Sequence, residues 1–327
     1  MIAPTSSGLL RRARQLDKER YAALVALVLL TVVSSFLSPF FLQVQNLLNI
    51  LRQVSYTGII ALGMTFVIVS GGIDLSVGSM AAFVGSLGIL ALNALAGGSQ
   101  GLAVTAAVAV ALLGGLLCGF ANGIAITKGR IAPFIVTLGT MALFRSLSLY
   151  MADAGEFRSA SSLFGDLGSA TLVRIPLPVL VMLALAAALA FVLSRTRYGR
   201  YVRAVGSNAR VARYSAIDVD RTRLLAYTLT GLLVGISSIL IAMRFNSVGT
   251  STVGINYELD AIAAVIIGGT SMAGGRGTIW GTVIGAVTLG VINNMLNLVG
   301  VSPYLQGTVK GLVIICAVLI QRRKSLT

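Results

Sequence analysis

The chain has 327 residues, of which 56% are hydrophobic and only 11% are charged, so it cannot be an ordinary soluble domain, where roughly 25% of residues are charged. Its net charge of +15 comes from basic residues in the gaps between apolar runs, which argues against a nucleic-acid-binding module. Histidine is absent and both cysteines lie within apolar runs, so we predict no metal site, no catalytic residues and no cofactor bound by this chain.

The N-terminal segment 1–20 is polar and basic, and an apolar run follows it at 21–37. This arrangement is typical of a signal peptide or of a retained first helix. The run is longer than most signal-peptide cores, and no A-x-A cleavage site follows it. We therefore favour a retained helix preceded by a cytoplasmic tail at 1–20.

Ten apolar runs follow one another along the chain, and a bilayer core of ~30 Å needs about 20 apolar residues per helix. The sequence predicts an all-α membrane protein, a polytopic bundle of about ten transmembrane helices that forms a single transmembrane domain over 21–321. The runs are 21–37, 55–70, 80–96, 102–127, 131–151, 175–194, 224–243, 259–272, 278–299 and 304–320.

Basic residues predict the orientation of these helices, because short cytoplasmic loops carry an excess of lysine and arginine. With the N-terminus inside, 19 of the 25 basic residues fall on the cytoplasmic side. We therefore expect both termini in the cytoplasm, including a short tail at 322–327. The loop 195–223, with eight arginines, lies on the same side.

Glycines recur at four-residue spacing inside three runs, a pattern that allows close approach of helix backbones in membranes. They are Gly115, Gly119 and Gly123, Gly231 and Gly235, and Gly281 and Gly285.

Two glycine-rich stretches, 70–79 and 268–277, interrupt the apolar pattern in the two halves of the chain. Unwound backbone inside a membrane must be buried in protein or line a water-filled cavity, so such stretches indicate a transport pathway. They are equally consistent with tight cytoplasmic turns in which Asp74 or Ser76 caps the next helix. Both interpretations stay open at this point.

Several polar residues within or beside the spans are candidates for the pathway or for docking. The asparagines could bind sugar hydroxyls or bond neighbouring helices, and the two acidic residues could meet solute or a docking protein or favour the helix dipole. The pathway candidates are Asp74, Ser76, Asn122, Asn293, Asn294 and Asn297, and the docking candidates on the outer side are Glu258 and Asp260.

The loop 195–223 contains apolar residues at three- to four-residue spacing, as a short amphipathic helix requires. These are Val205, Ala209, Ala212 and Ala216. Another protein could hold such a helix, although the positive-inside rule explains the arginines by itself.

Four motifs together resemble the ribose-type sugar permeases of ATP-binding-cassette importers. They are Gly-Gly-Ile-Asp-Leu-Ser-Val-Gly-Ser at 71–79, the stretches 199–208 and 257–271, and the pair Asn293-Asn294. The resemblance runs from Asn46 to the C-terminus. It implies a homodimeric permease of the bacterial inner membrane that receives solute from a periplasmic sugar-binding protein. A double-cassette ATPase partner would use the ATP and Mg.

The resemblance also implies that 205–217 is the coupling helix that docks on this ATPase. The segment begins at Val205, and the positions that match the family pattern are Gly206, Asn208, Ala212, Arg213 and Ile217. The chain departs from the pattern at Ala209-Arg210, where an acidic or proline-containing pair is usual, and at Ala216, where glycine is usual. Arg210 indicates an acidic surface on the partner.

The chain contains no G-x-x-x-x-G-K-[ST] string, so the energy for transport must come from elsewhere. We expect a non-catalytic permease driven by a partner ATPase. The alternative is an ion-coupled secondary transporter in which Asp74, Glu258 or Asp260 binds the ion. A membrane enzyme is disfavoured because no nucleophile-base pair can be assembled without histidine.

Overall fold

A computed structural model describes residues 23–302, 305–313 and 315. The predicted tails at 1–20 and 322–327 lie outside the described residues, as does the end of the last apolar run.

Helices make up most of the described chain, which confirms the prediction of a helical membrane protein. Seven are long and apolar enough to cross a membrane, rather than about ten, counted over the described residues. These are α2 (Val44–Val69), α3 (Val77–Ala94), α4 (Gln100–Thr127), α5 (Pro133–Met151), α7 (Leu177–Arg195), α10 (Val219–Phe245) and α12 (Ile279–Leu298). The shorter ones are α1 (Ala23–Leu37), α6 (Ser162–Ser169), α8 (Arg197–Ser207), α9 (Ala209–Tyr214), α11 (Tyr257–Ile267) and a last helical stretch over 305–313.

Two predicted spans have different boundaries in the structure. Helix α2 begins at Val44, well before the predicted start at Ser55, because polar residues interrupt the apolar run without breaking the helix. The predicted span 259–272 is wrong: α11 has 11 residues. At 1.5 Å per residue it is about 16 Å long, too short to cross a bilayer. The chain enters α11 through the non-helical residues 250–256 and leaves it through 268–278.

Two small antiparallel ladders are the features of the fold that the sequence did not predict. Strand β1 (Glu156–Arg158) pairs with β4 (Ser247–Gly249), with Glu156 opposite Gly249. Strand β2 (Thr171–Leu172) pairs with β3 (Ile175–Pro176). Strands of two or three residues are too short to show an alternating pattern.

Helices α4 and α10 pack closely in the core through the predicted glycines. A β-carbon at Gly115 would overlap the carbonyl oxygen of Gly231, and a β-carbon at Gly231 would overlap that of Gly115. Gly285 of α12 lies against the carbonyl of Ala264 in α11 in the same way. The prediction of close helix packing at these glycines is confirmed.

Helix α10 separates two ends of the molecule, since its 27 residues extend about 40 Å. The surface formed by α8 and α9 lies before its start, and we call it the arginine face. The β1–β4 ladder and the segment 152–176 lie beyond its end, and we call them the ladder face.

Candidate translocation and coupling site

The first break, residues 70–76 between α2 and α3, ends in a fully buried polar cluster. Asp74 Oδ1 accepts hydrogen bonds from the amide of Ser76 (2.9 Å) and from its hydroxyl (2.7 Å). The side-chain amide of Asn122, on α4, donates to the same hydroxyl at 2.9 Å. Three of the six predicted pathway residues therefore meet at one place, and we call Asp74, Ser76 and Asn122 the polar cluster.

Two acceptor atoms of the polar cluster have no partner among the described residues. They are Asp74 Oδ2 and Asn122 Oδ1, and both side chains are fully buried. An unpaired polar atom in a protein interior is costly, so each unpaired oxygen of this kind needs an explanation. The arrangement leaves two oxygens able to accept hydrogen bonds from hydroxyl groups or water.

The capping role considered for Asp74 and Ser76 is not what the structure shows. Ser76 occupies the N-cap position of α3, but its hydroxyl bonds to Asp74 and Asn122, and α3 has no side-chain cap bond within the described residues. The break is instead fixed by Tyr227 of α10, whose hydroxyl donates to the carbonyl of Ile73 at 2.9 Å.

The starts of α3 and α11 meet directly beside the polar cluster. A β-carbon at Gly78, in the first turn of α3, would overlap the carbonyl oxygen of Gly254 and would lie 2.7 Å from a carboxylate oxygen of Glu258. The start of α3 is therefore buried and packs on Gly254, whereas Ile255 and Asn256, directly before α11, are exposed. Non-helical backbone of this kind is tolerated at membrane depth only where protein buries it or a cavity is lined by it.

Both docking candidates on α11 have interactions within the described chain. Asp260 forms an ion pair with Lys310, with 3.0 Å between the Lys310 nitrogen and Asp260 Oδ1. Glu258 interacts electrostatically with Arg145 of α5. Their role in docking a partner stays a prediction.

The three asparagines of α12 lie away from the polar cluster. Asn294 exchanges two side-chain hydrogen bonds with Asn46 (3.0 and 2.8 Å), which is at the start of α2, whereas the first break is at its end. Asn297 accepts a bond from Gln306 at 2.7 Å. Asn294 and Asn297 thus join elements of the bundle, as the alternative interpretation expected, and Asn293 Oδ1 is buried without a partner in the described chain.

The predicted coupling segment forms α9 and the end of α8. Asn208 caps α9, because its side-chain oxygen accepts from the amides of Arg210 and Val211, each at 3.0 Å. The buried members of the predicted apolar stripe, Val205 and Ala212, pack together with Val219. Their neighbours in this cluster include Ala209 and Ile217.

Ala216 was expected in the apolar stripe, and this expectation is wrong. Helix α9 ends at Tyr214, and Ala216 is exposed with φ of 58°, in the left-handed region. The amide of Ile217 then bonds back to the carbonyl of Ala212 at 3.1 Å. Glycine adopts this conformation without strain, which is a physical reason for the glycine usual at this position in the resembling family.

The outward side of α9 combines positive charge with exposed apolar surface. Arg210 and Arg213 are exposed, as are Val211 (55%) and Tyr214 (84%). Arg213 lies 3.5 Å from Asp220, a surface ion pair that contributes little stability. This surface fits a protein partner that carries acidic and apolar groups.

The end of α8 contacts both breaks, a feature that sequence reasoning missed. A β-carbon at Gly206 would overlap the carbonyl oxygen of Val69, at the end of α2. The same oxygen accepts a bond of 2.9 Å from the amide of Gly275, in the second break (residues 268–278). Gly274 also packs on the backbone of Gly206. We call Val69, Gly206, Gly274 and Gly275 the glycine junction; its glycines stand in the sequence, but no local signal pairs them.

The chain belongs to the family described as the permease component of the branched-chain amino acid transport system, whose model matches residues 46–318. It is thus a multi-pass membrane protein and the membrane-spanning, non-catalytic component of a transport system. No solved structure matches this chain.

Among curated proteins, the chain is similar to sugar permeases over nearly its whole length. It is 42% identical to the ribose import permease protein of Bacillus subtilis over 94% of both chains. It is 43% identical to the ribose import permease protein of Escherichia coli K12, over 92% of this chain and 93% of the relative. It is 37% identical to the D-allose transport system permease protein of the same strain, over 93% and 92% respectively.

Proposed function

We propose that this chain is the permease of a bacterial inner-membrane ABC importer for a monosaccharide, ribose or a related sugar. The supporting observation is the glycine junction, which links an exposed, cationic helix pair to both breaks in the membrane bundle. The sugar assignment is supported by relatives that match more than 90% of the chain and carry ribose and allose in their names.

The arginine face is cytoplasmic in this proposal, because cytoplasmic loops carry the excess of basic residues. Both termini are then cytoplasmic as well. The ladder face is periplasmic and receives the sugar-binding protein. Asp153, Glu156 and Asp166 outnumber the arginines Arg158 and Arg174 in segment 152–176, whereas all charged residues of α8 and α9 are arginines.

The chain's own part in the cycle is conformational. A double-cassette ATPase binds α9 through Arg210, Val211 and Tyr214. The ATPase binds and hydrolyses ATP with Mg. When its cassettes close, α8 moves with α9, because Asn208 joins the two helices directly. Gly206 then displaces the end of α2 and the second break together, since backbone contacts without intervening side chains transmit motion rigidly.

The polar cluster is the part of the bundle best suited to line the pathway at its narrowest point. Its two unpaired oxygens accept hydrogen bonds from sugar hydroxyls. A second copy of the chain completes the importer as a homodimer. The importer then has two arginine faces and two ladder faces.

Reconstitution in vesicles tests this proposal. Chain, ATPase and binding protein are combined, and uptake of ribose, allose and leucine is measured with ATP. The same vesicles without partners are given only a proton or sodium gradient. We expect ATP-dependent uptake of a monosaccharide. Leucine uptake would show that the substrate is a branched-chain amino acid and not a sugar. Uptake by the chain alone with an ion gradient would establish the secondary transporter.

A further inference from the structure

The non-helical segment 250–256 connects the ladder face to α11, and its first residue is bonded to that face. The amide of Thr250 donates to the carbonyl of Gly155 at 3.2 Å, and its hydroxyl donates to the same oxygen at 2.7 Å. Thr250 is fully buried and follows directly after the β1–β4 ladder. The start of the segment therefore moves with the ladder face.

Arg145, on α5, holds the rest of this segment. Its Nη1 atom donates to the carbonyl of Thr250 at 2.6 Å and to the carbonyl of Val253 at 3.0 Å. The same guanidinium interacts electrostatically with Glu258 in the first turn of α11. One half-buried side chain thus joins the residue bonded to the ladder face, the middle of the segment and the helix that follows.

The far end of the segment reaches the polar cluster. The carbonyl of Gly254 lies against Gly78, two residues after Ser76, with no side chain between the two backbones. A displacement of the segment therefore displaces the start of α3. The contacts form a continuous path from Gly155, through Thr250 and Arg145, to Gly254 and Gly78.

We propose that Arg145 is a positioning residue that makes segment 250–256 follow the ladder face, so that docking of the binding protein there is passed to α11 and to the polar cluster. This inference rests on the proposed function. Without the guanidinium, the carbonyls of Thr250 and Val253 lose their shared donor, and only the amide bonds of Thr252 and Val253 to the carbonyl of Gly249 tie the segment to the ladder. Docking then still takes place, but the membrane bundle responds to it much less.

The test uses the full complex of chain, ATPase and binding protein in lipid vesicles. ATP hydrolysis is measured with and without sugar-loaded binding protein, together with the affinity of that protein for the complex. For Arg145→Gln we expect unchanged basal hydrolysis and unchanged affinity, with the stimulation by binding protein reduced about tenfold, within the range of coupling between two sites. Arg145→Lys keeps the charge and two possible bonds, so its stimulation should be intermediate.

Arg130→Gln is the matched control, because Arg130 is exposed just before the other end of α5. It should leave stimulation at the wild-type level. Equal losses of basal and stimulated hydrolysis in Arg145→Gln would show a merely structural role and overturn the inference. Lost affinity for the binding protein, or unchanged stimulation, would also overturn it.

Thr250→Val gives an independent readout if Arg145→Gln does not assemble. It removes only the hydroxyl bond to Gly155 and keeps the backbone bond and the shape of the side chain. We expect stimulation to fall about threefold with basal hydrolysis intact, since one of the contacts that carry the coupling is lost. Full stimulation in this variant would contradict the inference. A wild-type complex without any stimulation would instead contradict the proposed function.

Discussion

The two glycine-rich breaks share a sequence signature and a neighbour, but they differ in what they connect. The first, residues 70–76, runs from the glycine junction into the fully buried polar cluster. The second, residues 268–278, follows α11 and contacts the same junction through Gly274 and Gly275. Its residues Met272 (44%) and Arg276 are exposed. The comparison teaches that one break brings polar groups into the interior, whereas the other links a short helix to the surface.

The largest expected effect comes from Gly206, because both breaks depend on it. Gly206→Ala places a β-carbon on the carbonyl of Val69, so the backbone must shift. We expect a loss of about 1–3 kcal/mol in the free energy of unfolding, the usual cost of overpacking, and loss of ATP-driven uptake. Thermal unfolding in detergent and uptake in vesicles measure the two effects.

Gly139→Ala, on α5, is the control for that substitution, because a β-carbon there meets nothing within 4 Å. It should leave uptake unchanged and raise stability by about 0.5–1 kcal/mol, because alanine favours the helix interior over glycine. If Gly206→Ala behaved like Gly139→Ala, the two breaks would not share a junction.

A second substitution pair separates the breaks from each other. Asp74→Ala removes the acceptor of two bonds from Ser76, and a buried group left unpaired costs about 1–3 kcal/mol. Arg276→Ala, in the exposed second break, should change stability by less than about 0.5 kcal/mol. If Asp74→Ala and Arg276→Ala lowered the thermal stability equally, the two breaks would not differ in burial.

Asp74→Asn sharpens the same contrast, because asparagine keeps an oxygen that can accept the bonds from Ser76. We expect it to retain most of the uptake that Asp74→Ala loses. Complete loss of uptake in Asp74→Asn, with normal stability, would show that the negative charge itself is needed and would favour an ion-binding role.

A smaller effect is expected at Asn294, which pairs with Asn46 far from the breaks. Asn294→Leu and Asn46→Leu should each cost about 1–2 kcal/mol, as for hydrogen bonds between membrane helices. The double variant should cost less than the sum of the two, with uptake retained in proportion to the folded protein. Additive losses in a double-mutant cycle would show that the two side chains do not stabilise one another. A specific loss of uptake would place Asn294 on the pathway instead.

The smallest effect concerns Ala216, whose left-handed backbone suits glycine better than alanine. Ala216→Gly should raise the free energy of unfolding by about 1 kcal/mol or less, because it removes the strain of a β-carbon at φ of 58°. A lower unfolding temperature would show that the turn after α9 is not strained.

Local features of this chain could be predicted from its sequence. The apolar runs predict most of the helices, the four-residue glycine spacing predicts which helix faces pack closely, and Asn208 begins a short helix as the loop pattern requires. Asp74 and Ser76 lie in one short motif, so the contact between them could also be predicted. Each of these features depends on neighbours along the chain.

Pairings between distant segments could not be predicted. The contact between Gly206 and Val69, the bonds from Arg145 to the 250–253 carbonyls, and the Asn46–Asn294 pair join residues far apart in sequence. The length of α11 was misjudged because its apolar run continues into the second break as Gly-Gly-Thr-Ser-Met, which hydropathy alone does not separate from a helix.

The central claim is that a separate motor acts through the arginine face, and a charge reversal on α9 tests it directly. Arg210→Glu should abolish the link between ATP hydrolysis and sugar uptake in the reconstituted complex. Arg174→Glu changes an exposed arginine on the ladder face and should leave the amount of sugar carried per ATP unchanged, because that face docks the binding protein and not the ATPase. If Arg210→Glu transported as much sugar per ATP as the unmodified chain, this helix would not be where the partner drives the permease.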